Sequence, residues 1–228
     1  MKNILCFLFS FSLCSYGFSQ FTFGPVGGVN FSKLLDSSDT HLFRIGPYFG
    51  GYGAFALNDY VSLRGELGFA TKGEKYKMSS SIDSPTLGTI LTTISGKTYL
   101  NYLDIPLLIQ VGALQTYVQT GVVYSVLLTV KNEATVTSTI LGTSTSTSTD
   151  KSGIKSTDIG IPLRAFYETE SGLQMGGGGI ISFHNINAKG SSIVENFVMC
   201  ILVGYKFGDT GGNTHHSGGG GGHHRRRR

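Results

Sequence analysis

Tryptophan is absent from this sequence, cysteine appears three times, proline five times, and charged residues make up only 14%. Each shortage excludes something. Cys6 and Cys14 fall within the first twenty residues, so a chain trimmed of that segment keeps Cys200 alone and cannot form an internal disulfide. No Cys-x-x-Cys or His-x-x-x-His spacing occurs, so neither a metal site nor a bound cofactor is expected. No Gly-x-Ser-x-Gly elbow occurs either, and the chain is not expected to be an enzyme. A charged fraction of 14% sits well under the ~25% of soluble domains. Beyond residue 20 no apolar run reaches the ~20 residues that a membrane-crossing helix needs. What is plentiful is glycine (33), phenylalanine (15) and tyrosine (11).

The first twenty residues, MKNILCFLFSFSLCSYGFSQ, carry one early lysine, an apolar core from Ile4 to Leu13 and a small-residue end. That pattern is a secretory signal peptide, 1–20, cut after Ser19 or Gln20. An uncleaved anchor needs a longer apolar core. Lipidation at Cys14 needs a small residue where Leu13 stands.

Tyr99–Ala113, YLNYLDIPLLIQVGA, is the clearest element. Leu103, Ile105, Leu107, Ile109 and Val111 form one aliphatic row, while Asp104 and Gln110 lie on the other. A period of two is a β-strand with one oily face. That face packs on a second sheet in a soluble sandwich, or meets lipid in a membrane barrel. Pro106 removes one ladder hydrogen bond in either case.

Seven further segments alternate in the same way: Phe21–Ser32, Arg44–Leu57, Tyr60–Lys72, Thr116–Val130, Asp158–Glu168, Leu173–His184 and Asn196–Phe207. Each is about the length of a tilted membrane strand, ~9–11 residues, or slightly longer. The connections decide between the two settings. Asn58-Asp59 reads as a two-residue hairpin turn, and Gly112–Gln115 and Thr169–Gly172 are also short. Lys33–Phe43, Lys75–Thr98, Lys131–Thr157 and Asn185–Glu195 are long. Strict alternation of short and long connections is the mark of an outer-membrane barrel, with short turns in the periplasm and long loops outside. The expected fold is therefore all-β, an eight-stranded antiparallel up-and-down transmembrane β-barrel over 21–207. The Ser/Thr-rich segments Lys75–Lys97 and Lys131–Thr157 are expected to be mobile solvated loops, since they offer little apolar area against chain entropy. An adhesive or glycan-bearing use of these loops stays open.

With odd positions of the fourth strand toward lipid, the lumen receives Arg64, Glu66, Lys72, Asp104, Gln110, Gln119, Arg164 and Glu168. Side chains can fill an eight-stranded interior, and buried charges need partners. A structural charge network of Arg64, Glu66, Asp104, Arg164 and Glu168 is expected, with Asp104 facing Arg64 on the neighbouring strand. His184 and Asp158 could form an acid–base couple at the rim, though without a nucleophile motif it points to no catalysis.

After Phe207 the chain becomes GDTGGNTHHSGGGGGHHRRRR, a flexible tail over 208–228. Its four arginines less Asp209 give +3 and Lys2 gives +1, so the +4 of the whole chain leaves the barrel neutral. No nucleic-acid surface is implied on the barrel. The tail could bind anionic polymer or lipid headgroups, or be an extension without a role.

Four segments, GVNFS at 28–32, LRGEL at 63–67, YLDIPL at 102–107 and VGYKF at 203–207, together resemble the PorT-like outer-membrane β-barrel family of Bacteroidetes-type bacteria. The resemblance covers 21–207. The chain departs from it at Gly65-Glu66-Leu67, where many members have Pro-Glu-Leu, and in the tail beyond the final aromatic. The resemblance implies a cell outer-membrane location, contact with outer-membrane lipid, and a structural or protein-interaction role. It also implies a link to envelope or secretion proteins and to protein secretion across the outer membrane. A narrow pore for small solutes is the alternative.

Overall fold

A computed structural model describes residues 20–35, 41–84, 88–113, 115–140, 142–188 and 194–208. Most of the signal segment and the tail beyond Gly208 lie outside the described residues, as do parts of the long connections. Among the described residues ten strands follow in chain order: β1 Phe21–Leu35, β2 His41–Leu42, β3 Arg44–Ala56, β4 Val61–Ser84, β5 Gly88–Ala113, β6 Thr116–Ser138, β7 Gly142–Ser148, β8 Thr157–Glu168, β9 Leu173–Ser182 and β10 Glu195–Tyr205. Eight of them close a ring in which every pairing is antiparallel. The order is β1–β3–β4–β5–β6–β8–β9–β10 and back to β1. The short β2 and β7 sit outside the ring, on β4 and β6. The expected eight-stranded barrel is the observed one.

The period of two explains the ring. On β8 the burial alternates without a break from Asp158 to Phe166. Around the outside, Phe49, Leu67, Leu107, Leu163, Ile181 and Ile201 are each more than half exposed. A continuous apolar belt of this extent has no place in water and is satisfied by hydrocarbon. Aromatic rings edge the belt at both rims. Phe21, Phe23, Tyr205 and Phe207 cluster at one end, with centroid spacings of 4.9 to 6.3 Å. At the other, Phe43 lies 6.2 Å from Phe197.

Short turns gather at the rim that also holds Phe21 and Phe207. The turn between β3 and β4 corrects the expected two-residue loop. Four residues, 57–60, make it, and Asn58 Oδ1 accepts from the backbone N–H of Tyr60 and Val61, each at 2.8 Å. That side-chain cap replaces the positive-φ pair a two-residue turn would demand. Between β8 and β9 the turn closes on Gly172, whose φ of +87° suits glycine.

Pro106 leaves the mark expected of it. Pairing of β4 with β5 runs to Gly65↔Leu107 and resumes at Gly68↔Asp104, with Pro106 between and no N–H to donate.

The Ser/Thr-rich segments correct the expectation of mobile loops. β4 runs 24 residues, β5 26 and β6 23, against the ~9–11 a membrane crossing needs. Roughly a dozen residues of each strand, about 40 Å at ~3.3 Å per residue, therefore stand beyond the belt as paired hairpins. Low complexity concealed two stabilising patterns. Threonine is β-branched and favours strands, and hydroxyls pair across the ladder, Ser79 with Thr93 and Thr135 with Thr145, both at 3.2 Å. Apolar residues also align in register, with Met78 opposite Ile94 and Ile94 opposite Val136. A β-bulge, with Leu128 as the extra residue, marks the place where β5 and β6 leave the ring.

Candidate functional site

The chemistry of this chain lies inside the ring, where large inward side chains alternate with glycine. Arg164 lies opposite Gly178 and Phe166 opposite Gly176 across β8 and β9. A Cβ on Gly178 would come within 2.6 Å of the Arg164 Cα and 2.1 Å of the Leu163 carbonyl oxygen. Small against large is how a narrow barrel fits bulky groups.

Two polar clusters fill the interior. In the first, toward the short-turn end, Arg64 Nε donates to Glu66 Oε1 at 2.7 Å along β4. Arg164 Nη1 reaches Glu66 Oε2 at 3.0 Å from β8, across the lumen. Tyr48 Oη donates to the same Oε2 at 3.0 Å. Arg64 Nη1 donates to Gln174 Oε1 at 3.2 Å, Gln174 Nε2 donates to Glu168 Oε2 at 2.8 Å, and Glu168 pairs with Lys206. The Arg64 guanidinium also lies 3.5 Å over the Tyr52 ring, a cation–π contact.

The second cluster lies toward the long-hairpin end and brings the correction of a pairing. Asp104 does not meet Arg64; it meets Lys72, whose Nζ is 3.0 Å from Asp104 Oδ1 and donates to Ser125 Oγ at 2.9 Å. The reason is geometric. Arg64 lies opposite Leu108 and Asp104 opposite Gly68, so Asp104 is nearer the Lys72 side of β4. Asp158, opposite Ser125, accepts from Ser182 Oγ at 2.9 Å and Asn196 Nδ2 at 2.8 Å through Oδ2. That oxygen is engaged by β9 and β10, and His184 is not among its hydrogen-bond donors.

Of the five residues expected to form one network, the structure brings Arg64, Glu66, Arg164 and Glu168 together and sets Asp104 apart with Lys72. The charges of the first cluster do not balance. Arg64 and Arg164, each 2% exposed, share the single carboxylate of Glu66. In the second cluster Lys72 pairs with Asp104, Asp158 is held by Ser182 and Asn196, and the buried Arg44 guanidinium donates to the Lys72 carbonyl at 2.8 Å.

The two ends of the lumen differ. At the long-hairpin end Ile186, from the segment after β9, is buried against Leu100, Tyr102, Leu127 and Val130, with Leu34, Ile154 and Val194 packed around them. Backbone bonds tie this cap together: Lys155 N–H to the Ile186 carbonyl at 2.7 Å and Ala188 N–H to the Gly153 carbonyl at 3.0 Å. At the short-turn end a cavity of about 810 Å³ opens between the turn residues Asn58 to Tyr60 and an inner wall that includes Tyr52, Arg64, Tyr117 and Gln174. Glu168 and Lys206 also line it.

Sequence reasoning missed Tyr48, Gln174, Asn196 and Ile186. Strand parity could have found the first three, because each falls on an inward-facing position of its strand. Nothing periodic marks Ile186, which follows the end of β9. Among the described residues no group of three or more His, Cys, Asp or Glu side chains is placed to hold a metal ion.

A family model described as "Outer membrane protein beta-barrel domain" matches residues 15–187. No curated protein matches the sequence. Among solved structures, the chain is similar to Ail, the attachment invasion locus protein of Yersinia pestis, at 10% identity and a TM-score of 0.41, covering 82% of this chain and 98% of that one. It is similar to Neisserial surface protein A at 16% identity and a TM-score of 0.38, covering 81% and 97%. It is also similar to the outer membrane protein AlkL in lipid bilayers, at 12% identity and a TM-score of 0.35, covering 83% and 92%.

Proposed function

This chain belongs to the outer membrane protein beta-barrel domain family, and from that premise we propose that it is a closed barrel with a structural and protein-interaction role. It resides in the outer membrane with its belt in lipid. Residues 1–20 act as the export signal, 21–207 form the barrel and 208–228 are a tail. The long hairpins stand outside the cell and contact other envelope proteins, including those of a secretion system such as the PorT-like resemblance implies.

The side chains that block the middle of the lumen carry this reading. Arg164 to Glu66 to Arg64 to Gln174 is a chain of side chains from β8 to β4 to β9, spanning the interior from wall to wall. Beyond it the apolar cap around Ile186 covers the other end. An ion passing through would have to separate buried charge pairs, which costs about 3–5 kcal/mol for each partner stranded. That argues for the closed barrel over the narrow pore. Planar-bilayer recording of the refolded protein is the test. Silence at voltages where a porin conducts is the expected result, and large steady openings would overturn the closed-barrel reading in favour of the pore.

A further inference from the structure

We propose that the cavity at the short-turn end is a binding site for a small carboxylate, held by Arg64 and Tyr117. Three observations meet there. First, the nearest charge cluster has two buried guanidiniums for one carboxylate, and the Glu168 carboxylate at the rim is already paired with Lys206. One positive charge is left over. Second, Arg64 Nη2 and Tyr117 Oη are both buried and have no hydrogen-bond partner within the protein, although both residues line the cavity. A buried donor left without an acceptor is unfavourable, and more so when it is charged. Third, Arg64 Nη1 holds only a neutral amide oxygen, Gln174 Oε1, at 3.2 Å.

A guanidinium presents paired N–H groups that match a carboxylate with two parallel bonds. A ligand carboxylate entering from the turn rim takes the Nη1 and Nη2 pair of Arg64 in place of the Gln174 amide, and accepts from Tyr117 Oη. Its single negative charge cancels the surplus. Inorganic phosphate, a mixture of monoanion and dianion near neutral pH, carries more than one negative charge on average and overcompensates it. The stacking of Tyr117 on Phe166, 5.4 Å between centroids and 9° between planes, fixes the phenol at the wall. The volume of about 810 Å³ admits the body of an organic acid behind its carboxylate.

The test is a ¹⁹F NMR titration of the full chain, refolded in detergent, with 4-fluorobenzoate as the probe. Saturable binding is expected. Arg64→Gln should weaken it about tenfold or more, as the loss of a charge-assisted bond implies; Glu66 keeps Arg164 as a partner in that variant. Tyr117→Phe should weaken it about threefold or more and keeps the ring stack, so it decides the matter if Arg64→Gln does not refold. Lys131→Gln, on the exposed hairpin, should leave binding unchanged. Acetate should displace the probe at lower concentration than inorganic phosphate. No saturable binding, or wild-type affinity in Tyr117→Phe, overturns the site; displacement led by phosphate overturns the carboxylate assignment. The titration reads the cavity alone, so its failure is separate from any failure of the conductance test.

Discussion

Glu66 accepts from Arg64 on its own strand, from Arg164 across the lumen and from Tyr48. Glu66→Gln therefore leaves two buried guanidiniums facing a neutral amide, at a cost of about 3–5 kcal/mol. A sharper expectation concerns Asp104. Asp104→Ala strands Lys72, and adding Lys72→Met should recover much of the loss, because no uncompensated charge remains. Adding Arg64→Leu instead should give losses that simply add, since Arg64 and Asp104 share no contact. Urea unfolding followed by the gel mobility of the folded barrel reads all three; recovery with Arg64→Leu and none with Lys72→Met would overturn the assigned pair. The inward face of these residues was legible in the sequence, because a period of two sorts a strand into two faces. The partner was not. Which inward charge meets which depends on strand stagger and on contacts across the lumen, and neither leaves a local signal.

At the scale of the element, the hairpins of β4 with β5 and β6 with β7 hold themselves up. Met78, Ile94 and Val136 make one cross-strand row, while Lys77, Ser95 and Thr135 make the next row on the opposite face. The raised sheet is thus amphipathic, yet its apolar row stays exposed, with Met78 at 56%. Because it buries so little against the ring, it should be separable from it. Replacing residues 79–93 with Asn-Gly, which suits a two-residue hairpin turn, should change barrel stability by less than about 1 kcal/mol. The same urea series checks this, and loss of the folded band would mean that the ring depends on the hairpin. These strands read as loops in the sequence for a definable reason. Ser/Thr repeats have the composition of a disordered segment, and the pairing that orders them joins residues far apart in the chain.

For the whole molecule the lengths of the connections carried the fold. Three short turns and both described chain ends gather at one rim, and every long excursion rises from the other. We expect the long-hairpin rim to face outward and the tail to be periplasmic. Protease added to intact cells should cut the hairpins where they turn, between β4 and β5 and between β6 and β7, and spare an epitope fused after Arg228. Loss of the epitope with the hairpins uncut would invert the orientation. Which end of the lumen is capped and which is hollow was beyond reading from sequence, because the cap comes from residues such as Ile154 and Ile186 whose connections show no period.

The seam between β1 and β10 has a bearing on how the chain is made. It joins Val26 to Gly204 and Leu35 to Glu195, pairs 178 and 160 residues apart in a chain of 228. Loop-closure entropy for such contacts must be met before they return anything. Until β10 is delivered, β1 and β9 are two bare edges on an otherwise hydrogen-bonded sheet, each able to template a neighbouring chain. A nascent molecule of this design is most dangerous to its cell just before it is finished, and its safe passage depends on being kept from its own siblings until the last strand arrives.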